Sequence, residues 1–183
     1  MQYRKLANTE LNVSTIAFGC WAIVGGFNWG HQEEQDSLSA LRAAYDSGIN
    51  FFDSAEGYGG GRSEELLGKA LGDVRDEIII ATKISPNHYT PDELRAACER
   101  SLRNLNTEWI DLYQLHWPNR DIPVAETLGL LEDLKTEGKV RAYGVSNFGP
   151  QDLGGCLAPE YTLTSNQLAY NLLFRAIEFE TLP

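Results

Sequence analysis

No run in this 183-residue chain approaches the ~18 apolar residues needed to span a membrane, and the N-terminal MQYRKLANTELNVS has no apolar segment of secretory-signal length. Export and membrane insertion are therefore not expected. Cysteine is scarce: Cys20, Cys98 and Cys156 are odd in number, scattered and form no CxxC pair, which fits neither a disulfide framework nor a zinc site. No metal is expected, and reduced thiols suit a cytoplasmic protein. Positive charge is also in short supply. Against 26 Asp and Glu stand 15 Lys and Arg, a formal net charge of -11, so nucleic acid and anionic membranes are repelled on average. Linkers, low-complexity stretches, charge blocks and short sequence repeats are missing too. With 43% hydrophobic residues the chain can bury a substantial core, and 1–183 read as one domain.

What is present is a regular alternation. A short hairpin comes first, Tyr3 to Leu6 and Leu11 to Ser14 around a turn at Ala7, Asn8, Thr9 and Glu10. Six strand candidates follow: TIAFGC, INFFD, EIIIATK, IDLYQLH, VRAYGVS and TLTSNQLAY. Helical patterns lie between them. Thr90, Pro91, Asp92 and Glu93 read as an N-cap, a first-turn proline and a capping-box acid ahead of Leu94, Ala97, Cys98, Leu102 and Leu105 on one face. Ser63 is expected to open a second helix that Gly72 closes, while Gly48 and Gly138 close helices centred on Leu41 and Leu131. Strand and helix units of about 30 residues imply parallel strands with right-handed crossovers, hence an α/β class.

An open dinucleotide-binding sheet normally shows GxGxxG after its first strand, and neither Trp21 to Gly26 nor Gly57 to Arg62 matches it. A different pattern marks the strand ends. The second strand ends in Asp53, the third in Lys83, the fourth in His116 and the fifth in Ser146 and Asn147; the sixth carries Asn166 and Gln167. Apolar strands that end in polar groups suit a barrel, whose strand C-termini converge on one mouth. Alternation places Ile79, Ala81 and Lys83 on one strand face, and Ile110, Leu112, Gln114 and His116 on another.

Asp53, Tyr58, Lys83 and His116 together suggest carbonyl chemistry. A free phenol near pKa 10 gives up its proton reluctantly at neutral pH, and a nearby ammonium lowers that pKa. Lys83 is the candidate cation, Asp53 its anchor, and His116 a hydrogen-bonding partner for the substrate oxygen. Singly, each has an ordinary reading: a loop acid, a turn tyrosine, a snorkelling lysine, a structural histidine. Their order on successive units is what carries the argument.

FFDSAEGYG, IIIATK, DLYQLHWP and VRAYGVSNFG resemble four signature stretches of the aldo-keto reductase family, and the hairpin and NQLAYNLLFR are similar too. The resemblance implies a (β/α)8 TIM-type barrel that reduces aldehydes or ketones with NADPH, NADH being the alternative. It makes Tyr58 the proton donor, tuned by Asp53 and Lys83, with His116 positioning the carbonyl. It assigns Ser146, Asn147 and Gln167 to the nicotinamide carboxamide, and Trp21 and Trp117 to the substrate pocket, with Trp29 as a further wall or as rim packing. His31 and His88 receive no role. Only six of eight units are counted, so the barrel is expected to be incomplete, with Phe174 to Pro183 starting a sixth helix. Unpaired first and sixth strands then favour self-association through exposed edges. Weak or absent NADPH binding by this chain alone is also expected. Two other readings stay open: a non-catalytic binding or regulatory protein of the same fold, like the reductase-like β subunits of potassium channels, and an inactive fragment of a longer reductase.

Overall fold

The computed structural model describes residues 1–182. Strands β1 (Tyr3–Lys5) and β2 (Asn12–Ser14) pair antiparallel, Tyr3 opposite Ser14, as the expected hairpin. All six further strands form where the apolar runs lie: β3 (Phe18–Gly19), β4 (Phe51–Asp53), β5 (Ile79–Ile84), β6 (Ile110–Leu115), β7 (Val140–Ser146) and β8 (Asn166–Gln167). They make one parallel sheet in simple chain order, β3-β4-β5-β6-β7-β8. A doubly wound sheet reverses direction at a switch point; this one never does, so each strand adds to the same side of a curling wall. The result is an incomplete (β/α)8 barrel.

Helices α1 (Glu34–Asp46), α2 (Arg62–Leu71), α3 (Pro91–Leu105) and α4 (Val124–Thr136) connect β3 through β7. Each buries one stripe, such as Leu94, Ala97, Cys98, Leu102 and Leu105 on α3, against the outer faces of the strands. Ile80, Tyr113, Leu115, Tyr143 and Val145 meet them there. Each fully buried leucine contributes about 2 kcal/mol relative to exposure. Ala81, Leu112 and Ala142 face the other way and form a second, smaller cluster with Phe51 and with Leu6 and Leu11 of the hairpin. The period-2 alternation thus sorts side chains to helix layer or barrel interior.

Two capping expectations change. Ser63 does not open α2: Gly61, at φ 96°, is the N-cap, and Ser63 is buried one residue inside, donating to the carbonyl of Cys20. Thr90 does stand at the N-cap of α3, but its hydroxyl bonds the Glu93 carboxylate at 2.6 Å instead of a backbone amide. Gly48 (φ 88°) and Gly138 (φ 77°) follow α1 and α4 in the left-handed conformation that ends helices there.

Short helices α5 (Pro150–Leu153) and α6 (Ile177–Glu180) complete the order. The expected sixth helix is therefore one turn; Pro183 lies outside the described residues. Gly144 in β7 lets the incoming chain pass close, because a Cβ there would stand 2.9 Å from the Ser165 carbonyl oxygen. The buried Asp111 of β6 ties the strand starts together. It accepts from Arg75 (2.7 Å), Arg141 (2.9 Å) and the Ile80 amide (3.0 Å), and both guanidinium groups lie over the Trp109 ring. No described helix is long and apolar enough to cross a membrane, and no cluster of His, Cys, Asp and Glu able to hold a metal ion occurs among the described residues. All three cysteines are free and buried.

Candidate active site

The parallel register brings the polar strand ends together. Gly19 pairs with Asp53, Asp53 with Ala81, and Lys83 with Gln114, so the C-terminal ends of β3 to β6 line one rim. Lys83 is the most buried member, its side chain 2% exposed. Its ammonium donates to Asp53 Oδ2 at 2.8 Å and to the Ser54 carbonyl at 2.8 Å, and lies 5.2 Å from the centre of the Tyr58 ring. Burying an ammonium unpaired is prohibitive, so the carboxylate and the carbonyl are what allow it to be there. The other Asp53 oxygen, Oδ1, is buried without a partner.

Tyr58 follows β4 on a turn in which Gly59 and Gly60 take φ of 60° and 64°, a conformation open to glycine at little cost. The His116 ring meets Tyr58 edge-on at 5.7 Å. Asp53, Tyr58, Lys83 and His116, spread over 64 positions of sequence, therefore share one place. Burial first, and the Asp53 charge second, push the Tyr58 phenol up to about 12. The lowering anticipated from Lys83 is not found. Its ammonium makes no hydrogen bond to the phenol and is turned onto Asp53 and the Ser54 carbonyl instead. Burial, then the Lys83 charge, lower the His116 pKa below its usual value, which keeps the imidazole neutral at pH 7.

Aromatic rings extend the site. Trp21 stacks on Tyr58 at 5.6 Å and 16°, Trp29 meets Trp21 edge-on at 5.6 Å, and Trp117 stacks on His116 at 6.5 Å. These three tryptophans are about half exposed, so they form a rim open to solvent. An open cavity of about 290 Å³ lies elsewhere, between Tyr89, Ile122, Val124 and Phe148, and none of the tetrad lines it.

On the β7 side, Ser146 Oγ donates to the Gln167 carbonyl (3.1 Å), and Asn147 Nδ2 donates to Ser146 Oγ (3.1 Å) and to the His116 carbonyl (3.0 Å). Asn147 adopts φ 64°, a left-handed conformation that asparagine tolerates. Gln167 Nε2 donates to Asp53 Oδ2 at 3.2 Å, which joins this cluster to the buried lysine. Among the described residues neither Asn147 Oδ1 nor Gln167 Oε1 accepts a protein hydrogen bond. Two amide oxygens without partners beside the tetrad fit a ligand bearing an NH2 group, as a nicotinamide carboxamide does.

A model of the "Aldo/keto reductase family" matches residues 15–183. The chain belongs to that family. It is 40% identical over 195 aligned positions to aldo-keto reductase YhdN of Bacillus subtilis (strain 168), covering 100% of this chain and 58% of that protein. Similarity to the NADH-specific methylglyoxal reductase of Escherichia coli (strain K12) is 33% over 202 positions, covering 97% of this chain and 61% of that one. An aldo-keto reductase from Klebsiella pneumoniae solved in complex with NADPH superposes with a TM-score of 0.88 at 34% identity, over 100% of this chain and 64% of its own. The chain thus spans about three fifths of the length of these reductases.

Sequence reasoning missed Glu56 and His88. Glu56, between Asp53 and Tyr58, is 8% exposed in its side chain and paired with His88 at 2.8 Å. The only sequence signal was an acid in a run of small residues, FFDSAEGYG, that is otherwise turn material. His31 pairs with Glu33 on the open surface, away from burial.

Proposed function

We propose that this chain carries the acid-base and carboxamide-binding groups of a reductase that converts aldehydes or ketones to alcohols with NAD(P)H. One observation carries the reading: a buried Lys83 ammonium anchored on Asp53, beneath the Tyr58 ring and beside a neutral His116. A bound nicotinamide cofactor supplies the hydride. Reduction places negative charge on the carbonyl oxygen, and the resulting alkoxide is a far stronger base than a phenolate. A Tyr58 phenol held near 12 is therefore always protonated at working pH, yet still gives its proton downhill to that oxygen. Lys83 offsets the charge that this leaves on the phenolate, and neutral His116 donates an N–H to the substrate oxygen. Trp21 and Trp117 wall the substrate place, and a flat, apolar aldehyde suits them.

Ser146, Asn147 and Gln167 hold the carboxamide in this reading. NADPH is the cofactor we assign, after the Klebsiella pneumoniae relative solved with it; NADH is the alternative, after the Escherichia coli relative named for it. These three residues address only the carboxamide end, so affinity weaker than low micromolar is expected. Fluorescence titration with each cofactor, and NADPH oxidation by 4-nitrobenzaldehyde with Tyr58→Phe as control, test the reading. Turnover that is lost in Tyr58→Phe supports it; equal rates in both proteins sink it. We also infer self-association through the edges at β3 and β8, which sedimentation velocity checks; a lone monomer at all concentrations rejects it.

A further inference from the structure

Three loops follow the strands that carry the tetrad: Tyr58 lies just after β4, which Asp53 closes; the turn at 85–89 comes just after β5, one residue from whose end Lys83 stands; and His116 follows β6. Side chains placed as the chemistry requires need loops held to a fraction of an ångström. One buried carboxylate outside the tetrad ties the first two of these loops together. The Glu56 amide donates to the Lys83 carbonyl at 3.1 Å. Its Oε1 accepts from the Ser85 amide at 2.6 Å and from His88 Nδ1 at 2.8 Å, and its Oε2 accepts from Arg100 at 3.3 Å. Glu56 is thus bonded to the carbonyl of Lys83 itself and to the amide two residues beyond it, while standing two residues from Tyr58.

The turn at 85–89 is itself bonded onward. The Tyr89 hydroxyl donates to the Trp117 carbonyl at 2.7 Å, and Asn119 Nδ2 donates to the Pro86 carbonyl at 2.9 Å, so the segment after His116 is fastened to the same turn. The tautomer of His88 follows from geometry. Arg100 also stands 3.4 Å from Nδ1, but a ring nitrogen cannot accept from the guanidinium while donating to the carboxylate. The shorter, charge-assisted contact decides that Nδ1 carries the proton.

We propose that Glu56, clamped by the Ser85 amide and His88, is a positioning residue that sets the spacing of Tyr58 from Lys83. What that spacing serves rests on the reductase reading above; the clamp itself does not. Glu56→Ala frees the two loops from each other, whereas Glu56→Gln keeps an Oε1 acceptor for both the Ser85 amide and His88. Turnover number should fall on the order of tenfold to a hundredfold in Glu56→Ala, with the aldehyde KM moving less than about threefold. Glu56→Gln should recover most of the loss.

The second readout needs no turnover. With Cζ-labelled tyrosine, the resonance of Tyr58, assigned by its absence in Tyr58→Phe, should shift in Glu56→Ala and return toward the parent position in Glu56→Gln. Unchanged turnover and an unmoved resonance in Glu56→Ala would overturn the proposal. So would equal damage by both variants, since charge and not the clamp would then be what matters. Should Glu56→Ala fail to fold by circular dichroism, His88→Ala decides in its place, and an unmoved Tyr58 resonance there rejects the clamp. A parent chain that turns over nothing counts against the reductase reading alone, and the resonance still decides the proposal.

Discussion

Strands β5, β6 and β7 run six or seven residues and are buried along nearly their whole length, whereas β3 and β8 are two residues each and partly exposed. The same repeat thus gives a long, buried centre and short, open ends. A central strand is paired on both sides and covered on the outside by helices; an end strand is paired on one side only. The proposed roles divide along the same line. Lys83 and His116, to which the proposal gives charge and protons, come from the centre, while Trp21 and Gln167, to which it gives substrate and cofactor, come from the ends.

The largest effect should come from breaking the centre. Lys83→Met leaves Asp53 largely buried without its cation, so a loss of about 3 kcal/mol in urea unfolding is expected, together with loss of turnover. Asp111→Ala should cost stability on the same scale, by stranding Arg75 and the Ile80 amide, yet leave the Tyr58 environment unchanged by tyrosine NMR. Tyr58→Phe sharpens the contrast from the other side. Its hydroxyl has no hydrogen-bond partner among the described residues, so stability should hold while turnover falls on the order of a hundredfold or more. At the end of the sheet, Gln167→Ala should shift unfolding by less than about 0.5 kcal/mol and act on cofactor affinity alone, read by titration.

The smallest effect concerns pH. The folded pKa of His116 lies below its unfolded value, so the unfolded chain binds the proton more readily. Its contribution to stability is full above the unfolded value, about 6.5, and is lost as pH falls through the lower folded value. Unfolding midpoints of the parent chain should therefore drop between pH 7 and 5 more steeply than those of His116→Gln. Parallel slopes would show that neither burial nor the Lys83 charge lowers the imidazole pKa in the folded chain.

All six strands were legible, because apolar alternation is a local property and β5 to β7 obey it. Their polar ends were legible too, since Asp53, Lys83 and His116 are read by counting along each strand. What escaped depends on contacts between distant loops. Ser63 was read as a cap, but it lies within reach of the Cys20 carbonyl and the Ser54 hydroxyl, and those contacts took it. Glu56 and His88 are 32 positions apart, and no periodicity reaches across that distance. The direction of the Tyr58 shift escaped for another reason: residue types name the charges nearby, but burial, the larger cause, is set only by the finished fold.

Gly144 shows how narrow the join between centre and end is. The absent methyl group there is the clearance through which the segment at Ser165 passes on its way into β8, and Ser165 Oγ donates from that place to Gln114 Oε1 at 3.1 Å. A Cβ at 144 would meet the Ser165 carbonyl oxygen at 2.9 Å, two residues before Gln167, whose Nε2 donates to Asp53 Oδ2. The bare backbone at 144 is therefore a spacer: its thickness sets how near the segment that leads to Gln167 can lie against β7.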